Sequence, residues 1–354
     1  MADKQTAWQD ATVVATRRVA EGIQRIELAP KLPVPVKPGT HVDIEVHVTD
    51  RVDLRSYSIV DASESGDTFA LSVYRSPVSR GGAEYMHSLR PGDRVRVTQP
   101  LQDFPFRVGA PSYTLVAGGV GITAMLGMAR VLRKLGAEYE LHYVGHSRER
   151  MAYLDELGDE HGERLIPHIT QEHGRMQVAD LIAEVPPAAE LYMCGPIRLM
   201  EEIRRLWDRG GRDRTLLRSE TFGNSGWFDA QPFVVEVPQY GARVDVRADE
   251  SMLEALERSG VDMMFDCRRG ECGLCEVRIL DLSGAVDHRD VFYSERQKAP
   301  NSKLCCCVSR VVASGDPALS SGEALAAASA EDPGGSAAQY RPTGRGARIV
   351  IEVS

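Results

Sequence analysis

Cys267, Cys272 and Cys275 stand with four and then two residues between them. Thiolates at that spacing on one tight loop can wrap the two irons of a plant-type [2Fe–2S] cluster, with a fourth thiolate arriving from a distant strand. The run Cys305-Cys306-Cys307 offers that fourth ligand. Gly270 and Gly273 lie inside the loop, where positive φ lets backbone N–H groups turn toward the sulfurs. Such donors stabilise a negatively charged cluster and tune its potential. Zinc is the rival occupant, since four cysteines also hold it tetrahedrally. Zinc ribbons pair two C-x2-C knuckles, however, and this chain has one. Six of the seven cysteines fall between positions 267 and 307, and the seventh is Cys194. That crowding favours metal ligation over a disulfide framework.

A cluster moves one electron at a time, so something must supply electrons. Arg55-Ser56-Tyr57-Ser58 groups a phosphate-pairing guanidinium, a flat ring and two hydroxyls, a set that suits a flavin. Arg80-Gly81-Gly82 follows, immediately before an expected helix over Ala83–Leu89. Glycines at a helix N-terminus form an anion site and suit the flavin phosphate. Ala117-Gly118-Gly119-Val120-Gly121-Ile122-Thr123 joins a strand to a helix, where a dinucleotide pyrophosphate sits. It is not G-x-G-x-x-G, and its glycines also suit tight helix–strand packing. Met193-Cys194-Gly195-Pro196 follows a later strand, again at a carboxyl end. His146-Ser147-Arg148 falls where an adenosine ribose would lie, so Arg148 is placed to meet a 2′-phosphate or to stack on adenine.

These residues need elements to position them. Ala11–Val19, Gln24–Leu28, Val42–Val48, Ser56–Val60, Thr68–Tyr74 and Arg94–Thr98 read as short strands punctuated by Pro38-Gly39 and Pro91-Gly92, which predicts an antiparallel β-barrel over 1–107. From 108 to 225 buried-type strands alternate with helices. Tyr113–Ala117 precedes Ile122–Leu135, Glu138–Val144 precedes a helix near Arg148–Leu157, and Leu165–Thr170 precedes Val178–Glu184. Leu191–Cys194 then precedes Ile197–Trp207, and Thr215–Phe222 closes the set, which predicts a doubly wound parallel sheet. From 226 to 354 come strands Phe233–Pro238 and Arg243–Arg247. A capping box of Ser251 and Glu254 opens a helix, and strands Glu276–Leu280 and Cys305–Val312 follow. Residues 313–344 are rich in Ala, Ser, Gly and Pro and read as a disordered insertion. Arg348–Val353 resumes as a strand of the same domain.

Composition narrows the function. The net charge of −9 argues against a nucleic-acid partner, which needs clustered Lys and Arg. No basic segment followed by an apolar run opens the chain, and no apolar run approaches a membrane span of about 18 residues, so the expected location is the cytoplasm. No Ser-His-Asp set or carboxylate pair is required, and the nine histidines read as structural or surface residues.

The order R-S-Y-S, G-G-V-G-I-T, C-G-P, C-x4-C-x2-C and C-V-S-R resembles the phthalate dioxygenase reductase family, whose relatives include vanillate demethylase reductases. Val286-Asp287-His288-Arg289-Asp290 also looks like this family. The resemblance covers nearly the whole chain outside the insertion. It implies ferredoxin–NADP reductase-like flavin and NAD domains fused to a C-terminal β-grasp ferredoxin. By resemblance, Arg55, Ser56, Tyr57 and Ser58 hold the flavin, with Arg80, Gly81 and Gly82 near its phosphate and Phe222 packing by its ring. Gly118, Gly119, Gly121 and Thr123 face the nicotinamide nucleotide, with Cys194, Gly195 and Pro196 near the nicotinamide. Ferredoxin spacing favours Cys305 as fourth cluster ligand, with 29 residues after Cys275 against 31 for Cys307. The family places that ligand in C-V-S-R, which selects Cys307. Two positions depart from the pattern. Ala124 stands where Pro is common, and Ala83 stands where a Ser often follows the two glycines, removing one phosphate hydroxyl.

The implied activity is an NADH-dependent oxidoreductase that uses FMN rather than FAD. It passes electrons singly through the cluster to a separate terminal oxygenase, Rieske-type and acting on an aromatic substrate. A cytochrome P450 is the alternative acceptor. A regulatory iron–sulfur or zinc module with a vestigial nucleotide domain is the rival of another class. Asp287, His288 and Arg289 read as either a partner contact or a solvated turn.

Overall fold

The alternation of His41–Val48 buries Val42, Ile44 and Val46 completely and leaves Asp43 and Glu45 half-exposed, the signature of a strand with one face on a core. The computed structural model describes residues 7–48, 51–76, 81–222, 226–313 and 346–353, so Arg80 and nearly all of the expected 313–344 insertion lie outside the described residues. Strands β1 (Trp8–Ala20), β2 (Ile23–Pro30), β3 (His41–Val48), β4 (Arg51–Ala62), β5 (Phe69–Tyr74) and β6 (Arg94–Thr98) close a barrel in the order β1-β2-β5-β4-β3-β6. Every pairing is antiparallel. Closure leaves no unpaired edge. Helix α1 (Gly82–Ser88) lies between β5 and β6.

The next five strands are parallel. They are β7 (Tyr113–Gly118), β8 (Tyr139–Gly145), β9 (Leu165–Ile169), β10 (Glu190–Cys194) and β11 (Leu217–Glu220), in the order β11-β10-β7-β8-β9. The crossovers hold α2 (Ile122–Leu135), α3 (Leu154–His161), α4 (Thr170–His173), α5 (Val178–Glu184) and α6 (Ile197–Arg209). All six residues of β7 are buried, as a central parallel strand requires. The order reverses between β7 and β10, so their carboxyl ends form the crevice where ligands bind in such sheets.

Two expectations here need correction. The helix near Arg148–Leu157 is instead a 3₁₀ turn, Arg148–Arg150, and a later helix, α3. Met151 and Tyr153 are drawn into the core between them, Tyr153 at φ 63 with its hydroxyl 2.6 Å from Ser72 Oγ. Core burial here outweighs helix continuity. The strand over Thr215–Phe222 begins only at Leu217, because Asp213 accepts from Thr215 N and caps a 3₁₀ turn first.

The chain divides into two compact units, residues 1–222 and 223–354. The second holds β12 (Phe233–Val237), β13 (Ala242–Val246), α7 (Met252–Arg258), β14 (Glu276–Ser283), β15 (Ala285–Asp287), α8 (Glu295–Lys298), β16 (Lys303–Cys305), β17 (Arg310–Val312) and β18 (Arg348–Val353). The expected capping box of Ser251 and Glu254 opens α7. One sheet runs β13-β12-β18-β14-β16, and β15 pairs with β17 separately. The expected single strand Cys305–Val312 is therefore two strands in different sheets, broken by the turn that carries Cys306 and Cys307.

The last strand is central to this unit. β18 runs parallel to β12 and antiparallel to β14, and Ile349 and Ile351 have no exposed surface. Truncating such a residue costs about 2–5 kcal/mol. Ile351→Ala is expected to lower the melting temperature of the cysteine-bearing unit by that cost and to leave the first unit's transition unmoved. Differential scanning calorimetry checks this, and an unchanged thermogram would show that β18 is dispensable.

Candidate functional site

The loop from Cys267 to Cys275 has no regular structure of its own. Arg268, Gly270 and Gly273 adopt φ of 50, 77 and 76, and these turns fold the loop back on its sulfurs. Cys267 Sγ accepts from the backbone N–H groups of Arg269, Glu271 and Cys272, each at 3.4 Å. The glycines are also forced by packing. A Cβ at Gly270 would lie 2.6 Å from Val308 Cγ2 and 2.9 Å from Asp290 Cα, and one at Gly273 would enter the Phe292 ring. Arg268 is held by Glu257 and stacks on Phe265, with its guanidinium 4.1 Å from the ring centre.

The cysteine run meets this loop. Cys306 N donates to Cys275 O, and Ser309 N donates to Cys305 O. The neighbouring thiols of Cys305, Cys306 and Cys307 draw the Cys275 thiol below the ordinary thiol range. Each of the three is raised in turn, first by that contact and then by burial. Burial raises Cys267, against its three N–H donors. For Cys307 the charge of Cys267 also raises the thiol, and the Gly270 N–H lowers it. No three His, Cys, Asp or Glu side chains converge on a single ion position among the described residues. The donor set is four thiolates with backbone N–H groups aimed at them, which fits a cluster of two irons.

At the β7/β10 crevice the glycines divide by role. A Cβ on Gly118 would lie 2.6 Å from Pro196 Cδ, one on Gly121 2.2 Å from Cys194 O, and one on Gly195 3.0 Å from Gly118 Cα. These three let the two strand ends touch. Gly119 differs, since nothing lies within 4 Å and its φ is 54. Its backbone faces open space at the N-terminus of α2, where a pyrophosphate would approach. Thr123 is buried and its hydroxyl donates to Val120 O at 2.9 Å, closing the turn. Cys194 is buried and Pro196 precedes α6.

On β4, Arg55 and Tyr57 share one face, and Ser56 and Ser58 share the other. Arg55 pairs with Asp53 at 2.7 Å, and its Cγ stands 2.9 Å from where a Gly82 Cβ would be. Gly81, at φ 88, precedes α1. Burial raises the Tyr57 hydroxyl well above its usual range, so it stays protonated. Ser56 Oγ donates to Asp43, and Ser58 Oγ donates to buried Glu220 at 3.4 Å. Phe222 packs against the core of the parallel sheet. Asp43 and Glu220 escaped the sequence reading, because a lone carboxylate reads as surface until its burial is known.

The division of the glycines is testable. Gly119→Ala meets no atom and is expected to lose about 1 kcal/mol of stability to its positive φ. Gly121→Ala drives a methyl into backbone and is expected to lose about 3 kcal/mol and to raise the KM for the dinucleotide. Thermal unfolding with steady-state kinetics checks both. Equal losses would refute the packing role of Gly121.

The second unit carries a match to the 2Fe-2S iron–sulfur cluster binding domain family over residues 235–312. The chain is 34% identical over 305 residues to the heme-dependent oxidative N-demethylase beta subunit of Ectopseudomonas mendocina, covering 85% of this chain and 95% of that protein. It is 32% identical over 308 residues to the vanillate O-demethylase oxidoreductase of Pseudomonas putida, covering 85% and 96%. The solved structure of phthalate dioxygenase reductase superimposes with a TM-score of 0.69 at 27% identity, covering 98% of both chains. Barrel, parallel sheet and cluster domain follow the same order in this chain as in that reductase. The chain thus belongs to the phthalate dioxygenase reductase family, the flavin and [2Fe–2S] oxidoreductases that serve oxygenases and demethylases.

Proposed function

We propose that this chain carries electrons from NADH through FMN to a [2Fe–2S] cluster on Cys267, Cys272, Cys275 and Cys307, and from there to a Rieske-type oxygenase with an aromatic substrate. The observation that carries the proposal is the folding of the Cys267–Cys275 loop, with three backbone N–H groups on Cys267 Sγ, against the Cys305–Cys307 turn, whose Cys306 N–H donates to Cys275 O. When bound, the flavin supplies the step from two-electron to one-electron chemistry. The chain's own residues orient and shield it. Arg55, with Gly81 and Gly82, offers the phosphate a guanidinium and backbone N–H groups. Tyr57 lies on the same face of β4 as Arg55, ready to cover the ring, while Ser58 and Glu220 form a buried hydrogen-bonded pair at the barrel wall. Gly118, Gly119, Gly121, Cys194, Gly195 and Pro196 shape the crevice for the nicotinamide nucleotide.

NADH is favoured over NADPH by the fate of Arg148. Glu172 holds its guanidinium in bidentate fashion, at 2.7 and 3.0 Å. Glu149 and Asp155 add further negative charge nearby. A 2′-phosphate has to displace one carboxylate and approach two more. The haem named for the N-demethylase relative supports a second reading, in which the acceptor is a haem oxygenase such as a cytochrome P450.

Two sets of variants test the assignments. Cys307→Ser is expected to abolish cluster absorption and leave reduction of the flavin by NADH intact, while Cys305→Ser keeps the cluster. The reverse outcome sinks the ligand choice, and a colourless purified protein sinks the whole reading. Glu172→Gln frees Arg148 from one exposed ion pair, worth about 1 kcal/mol. It is expected to raise kcat/KM for NADPH about fivefold with little change for NADH. No gain would remove Glu172 from cofactor choice. Reconstitution with a Rieske oxygenase and with a P450 separates the two acceptors.

A further inference from the structure

Among the described residues only Tyr153, Arg268 and Asn301 take positive φ without being glycine. Arg268 serves the cysteine loop, whereas Tyr153, at φ 63 and ψ 14, opens α3 in the first unit. An L side chain is crowded in that geometry, so its surroundings must hold it there. They do so from several sides. Met151, two residues earlier, is wedged on the end of β8, where a Cβ at Gly145 would lie 2.3 Å from its Cγ. Leu157 N donates to Tyr153 O at 2.8 Å and starts α3. Arg17 of β1 stands 5.9 Å from the ring centre. The hydroxyl shares a 2.6 Å hydrogen bond with Ser72 of β5, and both residues are 5% exposed.

Ser72 belongs to a barrel strand that is buried on both faces. Phe69, Leu71 and Val73 fill the barrel core. Ala70 and Ser72 alternate to the outer face, where Ala70 joins the core of the parallel sheet. Small residues there bring barrel and sheet close. The same strand lies against the Gly119–Gly121 turn at the start of α2, and α2 packs on β4, the strand of Arg55–Ser58. Two weaker links flank the tyrosine. Glu21 N donates to Glu149 O at 2.6 Å, and Arg17 pairs with Glu156 at 3.2 Å. The ion pair is exposed and contributes little. The Tyr153–Ser72 bond is buried and directional, and a buried hydroxyl is costly to leave unpaired. Residues 146–153 therefore leave the dinucleotide sheet at β8, pass Arg148 and end on the wall of the flavin barrel.

We propose that Tyr153 is a positioning residue for hydride transfer from the nicotinamide nucleotide to the flavin. Its strained backbone aims the hydroxyl at Ser72, and that bond pins the dinucleotide sheet to the flavin barrel at one spacing. Tyr153 gains and loses nothing in the step, in which one hydride, with its electron pair, passes from nicotinamide to flavin. This rests on the functional reading above. A displacement of about 1 Å at a reacting centre can cost about a hundredfold in rate.

Tyr153→Phe removes the hydroxyl and keeps the ring. Ser72→Ala removes its partner. Each single variant strands one buried hydroxyl and the double variant strands none, so the double variant decides the matter should a single one fail to fold. The experiment is anaerobic stopped-flow reduction of the holoenzyme over a series of NADH concentrations, following flavin bleaching. For Tyr153→Phe the limiting rate is expected about tenfold lower, with the half-saturating NADH concentration within about twofold of wild type. Flavin content should be unchanged, and the long-wavelength absorbance of nicotinamide stacked on flavin should weaken. Ser72→Ala is expected to show the same loss, and the double variant no greater loss than either single one, since both hydroxyls act through one bond. A wild-type limiting rate in the double variant overturns the proposal, even with a lowered melting temperature, because the bond is then structural alone. A raised half-saturating concentration at an unchanged limiting rate overturns it in favour of a binding role. Additive losses overturn the shared bond. Failure of NADH to bleach any flavin in the wild type would instead overturn the functional reading.

Discussion

Four thiolates and two irons form an anionic centre, and a protein can hold such a centre only by surrounding it with donors. In the second unit this constraint decides the local backbone. Arg268, Gly270 and Gly273 take positive φ because extended or helical geometry would point their neighbours' N–H groups away from the sulfurs. Three N–H groups reach Cys267 and a fourth reaches Cys307. A loop bent this way makes few backbone bonds of its own, so its stability has to come from outside. The fixed turn at Cys305–Cys307, the bond from Val291 to Gly270 and the contact of Gly270 with Asp290 supply it.

The first unit meets a different demand, which is access. A dinucleotide has to reach backbone N–H groups at a helix start, so side chains there are obstacles. The solution is contact between strand ends with almost no side chains: Gly118 against Gly195 and Pro196, and Gly121 against the Cys194 carbonyl. The topology places this at β7 and β10, where the strand order reverses and crossovers depart in opposite directions. The tight-packing and ligand-binding readings of these glycines are therefore not rivals. Gly118, Gly121 and Gly195 serve packing, and that packing leaves Gly119 open.

Much of this was legible in the sequence because it rests on local signals. Alternation marked the six barrel strands to within a few residues, the Ser251 and Glu254 capping box marked α7, and RIVIEV marked a strand that proved central to its sheet. What stayed hidden depends on partners far along the chain. Cys305–Val312 reads as one apolar strand, yet it breaks because Cys305 pairs with Glu276 and Arg310 with Asp287 in separate sheets. Asp287-His288-Arg289-Asp290 reads as solvated because four polar residues in a row ordinarily are. Its partners, Trp227, Phe228 and Ser309, lie about 20 to 60 residues away. Glu220 was invisible for the same reason.

The two units also differ in what holds their functional residues. Around the crevice of the first, positioning is steric and largely apolar. Around the cysteine loop of the second, it is ionic: Asp287 with Arg289 and Asp290 with Lys298, while Arg310 ties three backbone carbonyls together. Buried ion pairs add little net stability, because desolvation cancels most of their attraction. Their advantage is geometric, since a guanidinium fork fixes distance and direction together. For Asp290, burial alone would raise the carboxyl, and the His288 hydrogen bond and Lys298 charge outweigh it and keep it ionised. A loop with scant regular structure beside an anionic centre gains from that fixity. Pairing each carboxylate with a cation also spares the cluster an uncompensated negative neighbour, which would make it harder to reduce. The placement of charge around the cysteines thus answers to two requirements, rigid ligands and a neutral surround, and buried ion pairs meet both where apolar packing would meet only the second.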